Sequence, residues 1–214
     1  PRTFSSAASD VYKRQTFDGI EFIKITKGEY TFGSPSDQLF HLPNEKSLAL
    51  TIPQDFWISK YEISQSEWQA VMGDNPSTFQ ALGPSQTAPV ESISWYQAKS
   101  FIIALNQIAG DNYYRLPTEA EWEYVAKAGS SSVWSFGNDL EDLLSYAHLG
   151  TGRPQSYGVT SANQWGVYNL YGNTYEWVED WYQVTRHPNL GSCPPTFGTY
   201  KVIRGGSYLC DHKW

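Results

Sequence analysis

Four residues late in the chain, Asn169, Gly172, Thr174 and Glu176, have the types and spacing of a site for a hard cation. In an extended backbone Gly172, Thr174 and Glu176, two apart, turn to one side, and Asn169 lies three residues earlier across an expected turn. A side-chain amide, backbone carbonyls and one carboxylate are the oxygen ligands that Ca²⁺ prefers. The same residues would also serve as a polar turn inside an aromatic core, and spacing alone leaves both readings open. Sulfur offers a second chemistry. Cys210 follows Arg204-Gly205-Gly206-Ser207, and Cys193 lies in the loop-like run Gly191-Ser192-Cys193-Pro194-Pro195. Two cysteines make no disulfide framework and leave the redox compartment open. The four histidines, His41, His148, His187 and His212, show no H-x-x-x-H spacing, and neither a Ser-His-Asp pattern nor a phosphate loop is present.

The oxygen ligands sit in Trp165–Tyr182, W-G-V-Y-N-L-Y-G-N-T-Y-E-W-V-E-D-W-Y, which holds three of the nine tryptophans and four of the fifteen tyrosines. Aromatic density interrupted by Gly, Asn and Thr predicts a buried, irregular ribbon in place of a helix. The chain as a whole is 16% aromatic with twelve prolines and seventeen glycines, so large rings must close the core and much of the chain must be ordered loop. Its 214 residues, with no linker-like composition break, read as one domain. A formal charge of −7 without a basic run argues against a nucleic-acid partner, and no apolar run approaches the length of a membrane span. The first fifteen residues have no initiator Met, apolar core or periodicity. They are set aside as a non-native leader (1–15), with the domain taken as 16–214 and incomplete at its C-terminal side.

The elements that must position these residues are short. Glu21–Ile25 and Glu29–Phe32 read as strands around a Lys27-Gly28 hairpin turn, and Leu48–Ile52, Phe56–Ile58 and Tyr200–Ile203 as further strands. Three capping boxes announce three helices. Ser64-Gln65-Ser66-Glu67 opens one that runs to Met72, Ser94-Trp95-Tyr96-Gln97 one to about Ile108, and Thr118-Glu119-Ala120-Glu121 one that ends at Gly129. After Gly129 mostly loop and short strand are expected.

Several separated segments then match one pattern: P-V-E-S-I-S-W-Y-Q-A (Pro89–Ala98), Y-R-L-P-T-E-A-E-W-E-Y (Tyr114–Tyr124), W-G-V-Y-N-L-Y-G-N-T-Y-E-W (Trp165–Trp177) and R-G-G-S-Y-L-C (Arg204–Cys210). G-E-Y-T-F-G-S (Gly28–Ser34) and Y-E-I-S-Q-S-E-W (Tyr61–Trp68) fit in the same order. Together they resemble the formylglycine-generating enzyme, or sulfatase-modifying factor, family over about residues 19–214. The resemblance implies a compact, loop-rich α+β fold of C-type-lectin-like kind, with short strands and about three short helices, often Ca²⁺-stabilised. It implies an oxidoreductase that uses O₂ and Cu(I), held by two cysteines, to convert a sulfatase cysteine in Cys-x-Pro-x-Arg to Cα-formylglycine.

Residue by residue, the resemblance implies that Cys210 is the first copper ligand and Ser207 the active-site serine. Tyr175 stands beside the substrate pocket where the family usually has Trp, and Arg204 lies at the same pocket or pairs with a buried acid. It also implies that Asn169, Gly172, Thr174 and Glu176 hold calcium. A second calcium site near Tyr146-Ala147-His148-Leu149 is not carried over, because His is a poor Ca²⁺ ligand. The second copper cysteine is expected five residues after Cys210, so the 214 residues alone are expected to be inactive, with the lone buried thiol raised in pKa. The expected partner is a sulfatase polypeptide or similar peptide, and the expected state is a monomer. Two alternatives stand beside this reading: a non-catalytic lectin-like binding module on the same scaffold, and a non-haem iron relative of the ergothioneine-pathway type.

Overall fold

A computed structural model describes residues 14–38, 41, 45–80, 87–183 and 197–210. Cys193, His187 and His212 lie outside the described residues. Strands β1 (Arg14–Phe17) and β2 (Ile20–Ile25) form an antiparallel hairpin, and β2 pairs on its other edge with β5 (Phe56–Ser59). Strands β3 (Gly28–Phe32) and β4 (Leu48–Ile52) make a second antiparallel pair.

The hairpin expected at Lys27-Gly28 is therefore not there. The turn is Asp18-Gly19, with φ of 48° and 86°, the left-handed pair that an Asp-Gly hairpin turn requires. Gly28 serves close approach instead, since a Cβ there would stand 2.5 Å from the Tyr124 hydroxyl. Arg14 and Gln15, set aside with the leader, belong to β1 and pair with Ile23 and Phe22.

The three expected helices form with all three boxes closed: α1 (Gln65–Met72), α2 (Trp95–Ala109) and α3 (Glu119–Lys127). In each, the N-cap hydroxyl accepts from the N3 backbone N–H and the N3 side chain returns to the N-cap N–H, satisfying two donors that a helix start leaves orphaned. The left-handed stop of α3 falls on Ala128 (φ 46°), one residue before Gly129. A fourth helix, α4 (Leu140–Tyr146), lies where loop was expected. It is capped by Asp139 and begins with Glu141 and Asp142, charges that suit a helix start.

Beyond α4 the chain is irregular, as expected. Strands β6 (Ala147–His148) and β7 (Tyr171–Gly172) form a two-residue parallel pair. Strands β8 (Glu176–Trp181) and β9 (Lys201–Arg204) pair antiparallel, with an irregularity between Trp177 and Trp181.

Two apolar clusters matter for the site. Trp122, Val125 and Val178 join α3 to β8, while Trp68 of α1 stacks on Phe101 of α2 (centroids 5.1 Å apart) beneath β2. Helix α3 is fixed to the ribbon at its start, where Asp180 of β8 accepts from the Glu119 N–H at 2.7 Å.

Candidate functional site

The ribbon is buried along much of its length, with Tyr175 and Tyr182 exposed, but its backbone is not the extended run that spacing implied. Asn169 (φ 59°) and Asn173 (φ 60°) are left-handed, a conformation Asn tolerates better than other side-chain-bearing residues. Gly172 (φ 103°) lies so close to the His148 carbonyl that a Cβ would collide with it. Its N–H donates to Gly205 O at 2.6 Å, which ties the ribbon to the Gly205-Gly206 turn. Asn173 is a hub: its N–H donates to His148 O, its carbonyl accepts from Tyr208 N, and its Oδ1 accepts from Gln155 N.

At the centre stands a residue that spacing arguments did not single out. Glu62 lies just before α1, and its Oε2 accepts from Asn169 Nδ2 (2.8 Å) and Asn173 Nδ2 (2.6 Å). Its Oε1 accepts from the Thr174 N–H (2.9 Å) and Thr174 Oγ1 (2.6 Å). Glu62 lies within the Tyr61–Trp68 run, but only the fold reveals that this carboxylate reaches the ribbon more than a hundred residues later. Glu176 is held by the Trp122 indole, whose Nε1 donates to Oε2 at 2.9 Å.

Among the described residues neither carboxylate is hydrogen-bonded to a Lys or Arg. Burial pushes Glu62 up to about 7 despite the Thr174, Asn169 and Asn173 hydrogen bonds. Burial and then the charge of Glu62 push Glu176 up to about 8, against the Trp122 hydrogen bond. Two half-buried acids without a cationic side chain are a place that favours either protons or a bound cation. No three His, Cys, Asp or Glu side chains cluster as metal ligands among the described residues. A cation here would draw on mixed carboxylate, amide and carbonyl oxygens, a donor set that fits Ca²⁺. The Asn169 Oδ1 also accepts from Thr160 Oγ1 at 2.8 Å.

Ser207, Tyr175 and Cys210 come together on the far side of the Gly205-Gly206 turn. Tyr175 Oη lies 3.1 Å from Cys210 Sγ, the Ser207 N–H donates to it at 3.3 Å, and Ser207 Oγ lies 3.7 Å away. Gly206 permits this packing, since a Cβ there would already touch Sγ at 3.8 Å. The thiol is not raised, as a lone buried sulfur was expected to be. Burial pushes it up, but the hydrogen bonds from Tyr175 and Ser207 outweigh burial and leave it below the ordinary thiol value. Three converging donors favour the thiolate, the form that binds soft metals or attacks. One thiolate does not make the two-sulfur copper set, and Cys210 is the only cysteine among the described residues.

Arg204 takes the second of its two expected roles. It pairs with Glu119 (3.3 Å) and Glu123 (2.7 Å) on one face of α3 and lies over the Trp122 ring at 5.0 Å. His148 is held by Thr151 Oγ1 and the Arg153 carbonyl, apart from the ribbon acids. Tyr175 and Ser207 open onto a cavity of about 1010 Å³ that also reaches Glu62, Thr174 and Glu176. No helix of the described residues is long and apolar enough to cross a membrane.

The chain matches one family model, and its relatives carry several different names. Residues 7–213 match the family described as Sulfatase-modifying factor enzyme 1-like domain. The chain is 29% identical over 222 residues to a formylglycine-generating enzyme of Streptomyces coelicolor, covering 90% of this chain and 64% of that protein's length. It is 27% identical over 220 residues to "Chaperone protein LppX" of Paenibacillus barcinonensis, covering 78% of this chain and 72% of that protein. Among solved structures, "Treponema denticola variable protein 1" superposes with a TM-score of 0.79 at 27% identity, covering 94% of this chain and 88% of its own.

Proposed function

The chain belongs to the sulfatase-modifying factor enzyme 1-like family, and from that premise we propose that the protein it comes from oxidises a cysteine in a sulfatase-type peptide to Cα-formylglycine. The observation that supports this reading is the convergence of Tyr175 Oη, the Ser207 N–H and Ser207 Oγ on Cys210 Sγ. It provides a hydrogen-bonded sulfur, its ionisation favoured by these contacts, beside a cavity large enough for a peptide side chain.

Cys210 is one soft ligand for Cu(I), with the second to come from a cysteine directly after Trp214. Copper, when bound by both, supplies the redox chemistry with O₂. The described residues alone do not fit Cu(I), and their part is narrower. Tyr175 and Ser207 orient the sulfur and favour its ionisation, and the Gly205-Gly206 turn brings it to the ribbon without steric cost. Calcium belongs to the same proposal. Glu176 supplies the charge, Asn169 the amide, and Gly172 and Thr174 the carbonyls, with Glu62 bracing Asn169 and Thr174.

The test compares the 214-residue chain with a version extended along its open reading frame. Both are loaded with Cu(I) and offered a peptide containing Cys-x-Pro-x-Arg. Aldehyde should form only with the extended protein and should disappear in Cys210→Ala. A continuation without cysteine at the first position, or an active Cys210→Ala protein, would replace the oxidase reading with that of a binding module.

A further inference from the structure

We infer, resting on the oxidase reading above, that the cavity selects its substrate polypeptide by one large apolar side chain lying outside the Cys-x-Pro-x-Arg sequence. That side chain, of leucine, methionine or phenylalanine size, is seated between the β1–β2–β5 sheet and helices α1 and α2.

Three observations carry it. First, one cavity runs from the sulfur to the helices and changes character on the way. At one end Tyr175 and Ser207, the partners of Cys210, share it with Glu62, Thr174 and Glu176. At the other end Trp68, Phe101 and Leu105 form a buried floor, and the half-buried Phe22, Ile63 and Ile102 pack against them. At about 1010 Å³ the space holds far more than the side chain of a target cysteine, and lies at the upper end of ordinary ligand pockets. A peptide with its cysteine beside Cys210 thus has an apolar slot within reach of its flanking residues.

Second, the lining offers no free cation. Arg115 is the one cationic side chain on it, and Glu121 already holds both of its terminal nitrogens, at 2.7 and 2.6 Å. An acidic side chain entering the slot would lose its water and gain no partner, whereas an apolar one gains by burial.

Third, the segment Glu91–Ile93 links the two ends and presents main chain to the cavity. The preceding Val90 belongs to the apolar cluster, while burial and the nearby Glu91 charge raise the Tyr208 phenol, next to Ser207. Ser92 is left-handed (φ 61°), a conformation costly to a residue with a side chain. Its hydroxyl donates to Glu91 Oε2 and meets Thr78 Oγ1 at 2.9 Å. Strain of this kind at a cleft wall is a mark of function. The Ile93 carbonyl is tied to the ribbon by the Trp177 indole at 3.0 Å. Among the described residues the Ser92 and Ile93 N–H groups have no hydrogen-bond partner, and both residues line the cavity. Main-chain donors beside a side-chain pocket are how extended peptides are held and told apart.

The test uses the protein extended along its open reading frame and peptides in which Ser-x-Pro-x-Arg replaces Cys-x-Pro-x-Arg, so that they bind without being oxidised. Leucine, phenylalanine or aspartate is moved through the flanking positions, the others being alanine, and Kd is read by fluorescence anisotropy. Leucine or phenylalanine at one position should lower Kd about 10–150-fold, the contribution of burying one such side chain, and aspartate there should not. Benzoylphenylalanine at that position should cross-link to Trp95–Ala109 of α2 on irradiation. Ile102→Ala should remove most of the leucine advantage and leave the Kd of the all-alanine flank unchanged. If Ile102→Ala does not fold, the scan and the cross-link on the parent protein suffice. A Kd indifferent to the flanks, or a cross-link away from α2, overturns the inference. An apolar small molecule retained in the native mass spectrum, or a dimer that excludes the peptide, reassigns the slot to a ligand or a second copy and overturns it too. Aldehyde formation from the matching cysteine peptides is scored separately. Aldehyde with a flank-indifferent Kd sinks this inference alone, and anchored binding without aldehyde sinks the oxidase reading.

Discussion

The pair Glu62 and Glu176 makes stability depend on pH in an unusual direction. Both folded-state values lie above the ordinary carboxylate value of 4.5, at about 7 and about 8. Between 4.5 and those values the folded protein binds more protons than the unfolded chain, so stability must fall as pH rises. Most paired carboxylates give the opposite slope. Each unit corresponds to about 1.4 kcal/mol, and the two shifts share one mutual repulsion, so they do not add in full. A combined loss of about 3–5 kcal/mol between pH 5 and 8 follows, or about 6–20 °C in Tm for a domain of this size.

A bound divalent cation keeps both groups ionised and removes the slope. Calcium at a hundred times its dissociation constant adds about 2.7 kcal/mol. The assay is thermal unfolding by circular dichroism from pH 5 to 8, in EDTA and in excess Ca²⁺. Tm should fall with pH in EDTA, stay level in Ca²⁺, and diverge most at pH 8. Glu176→Gln keeps the shape and removes one titrating group, so it should leave only the shallower Glu62 part of the EDTA slope and abolish the calcium shift. A flat EDTA curve for the parent protein, with no calcium effect at pH 8, refutes the argument.

Three further perturbations test the surroundings. Arg204→Met leaves Glu119 and Glu123 buried without their cation and should cost about 3–5 kcal/mol in denaturant unfolding, whereas an exposed pair would cost under about 1. Tyr175→Phe removes the leading hydrogen bond that lowers the Cys210 thiol. The pH profile of iodoacetamide alkylation should therefore move upward, and an unmoved profile assigns Tyr175 no part in ionising the sulfur. Gly172→Ala forces a Cβ into the His148 carbonyl at a left-handed φ of 103° and should destabilise by about 3 kcal/mol or more. A soluble variant of parental Tm would show that β6 and β7 pair more loosely than described.

What the sequence made legible follows the range of the interactions involved. Capping boxes are complete within four residues, so Ser64, Ser94 and Thr118 announced their helices correctly. Helix α4 carries an equally local signal in Asp139, Glu141 and Asp142, and Asp18-Gly19 is a stronger hairpin-turn pair than Lys27-Gly28. Gly28 misled because glycine answers two needs, turning and close approach, and only the position of Tyr124 distinguishes them. The site residues were found as types but not as a geometry. Ser207, Tyr175 and Cys210 do meet, and Asn169 and Thr174 do gather, yet through left-handed Asn residues and not an extended strand. Glu62 was out of reach of periodicity or spacing, because it acts across more than a hundred intervening residues. The sign of the Cys210 shift was equally hidden, since it turns on hydrogen bonds from Tyr175 and Ser207 that outweigh burial.

The reach of Glu62 also sets the order in which the molecule can be built. Its partners lie 107 to 112 residues downstream; the ribbon's anchor from Trp95 to Val178 spans 83 residues, and the Arg204–Glu119 pair beside it spans 85. The caps of α1 and α2 need only local residues, but such distant contacts wait for nearly the whole chain and make for slow assembly. On the ribosome, Glu62 is an ordinary solvated carboxylate until the Asn169–Thr174 turn emerges and encloses it. The ribbon is therefore late to assemble, and a chain interrupted before it lacks the partners that enclose Glu62.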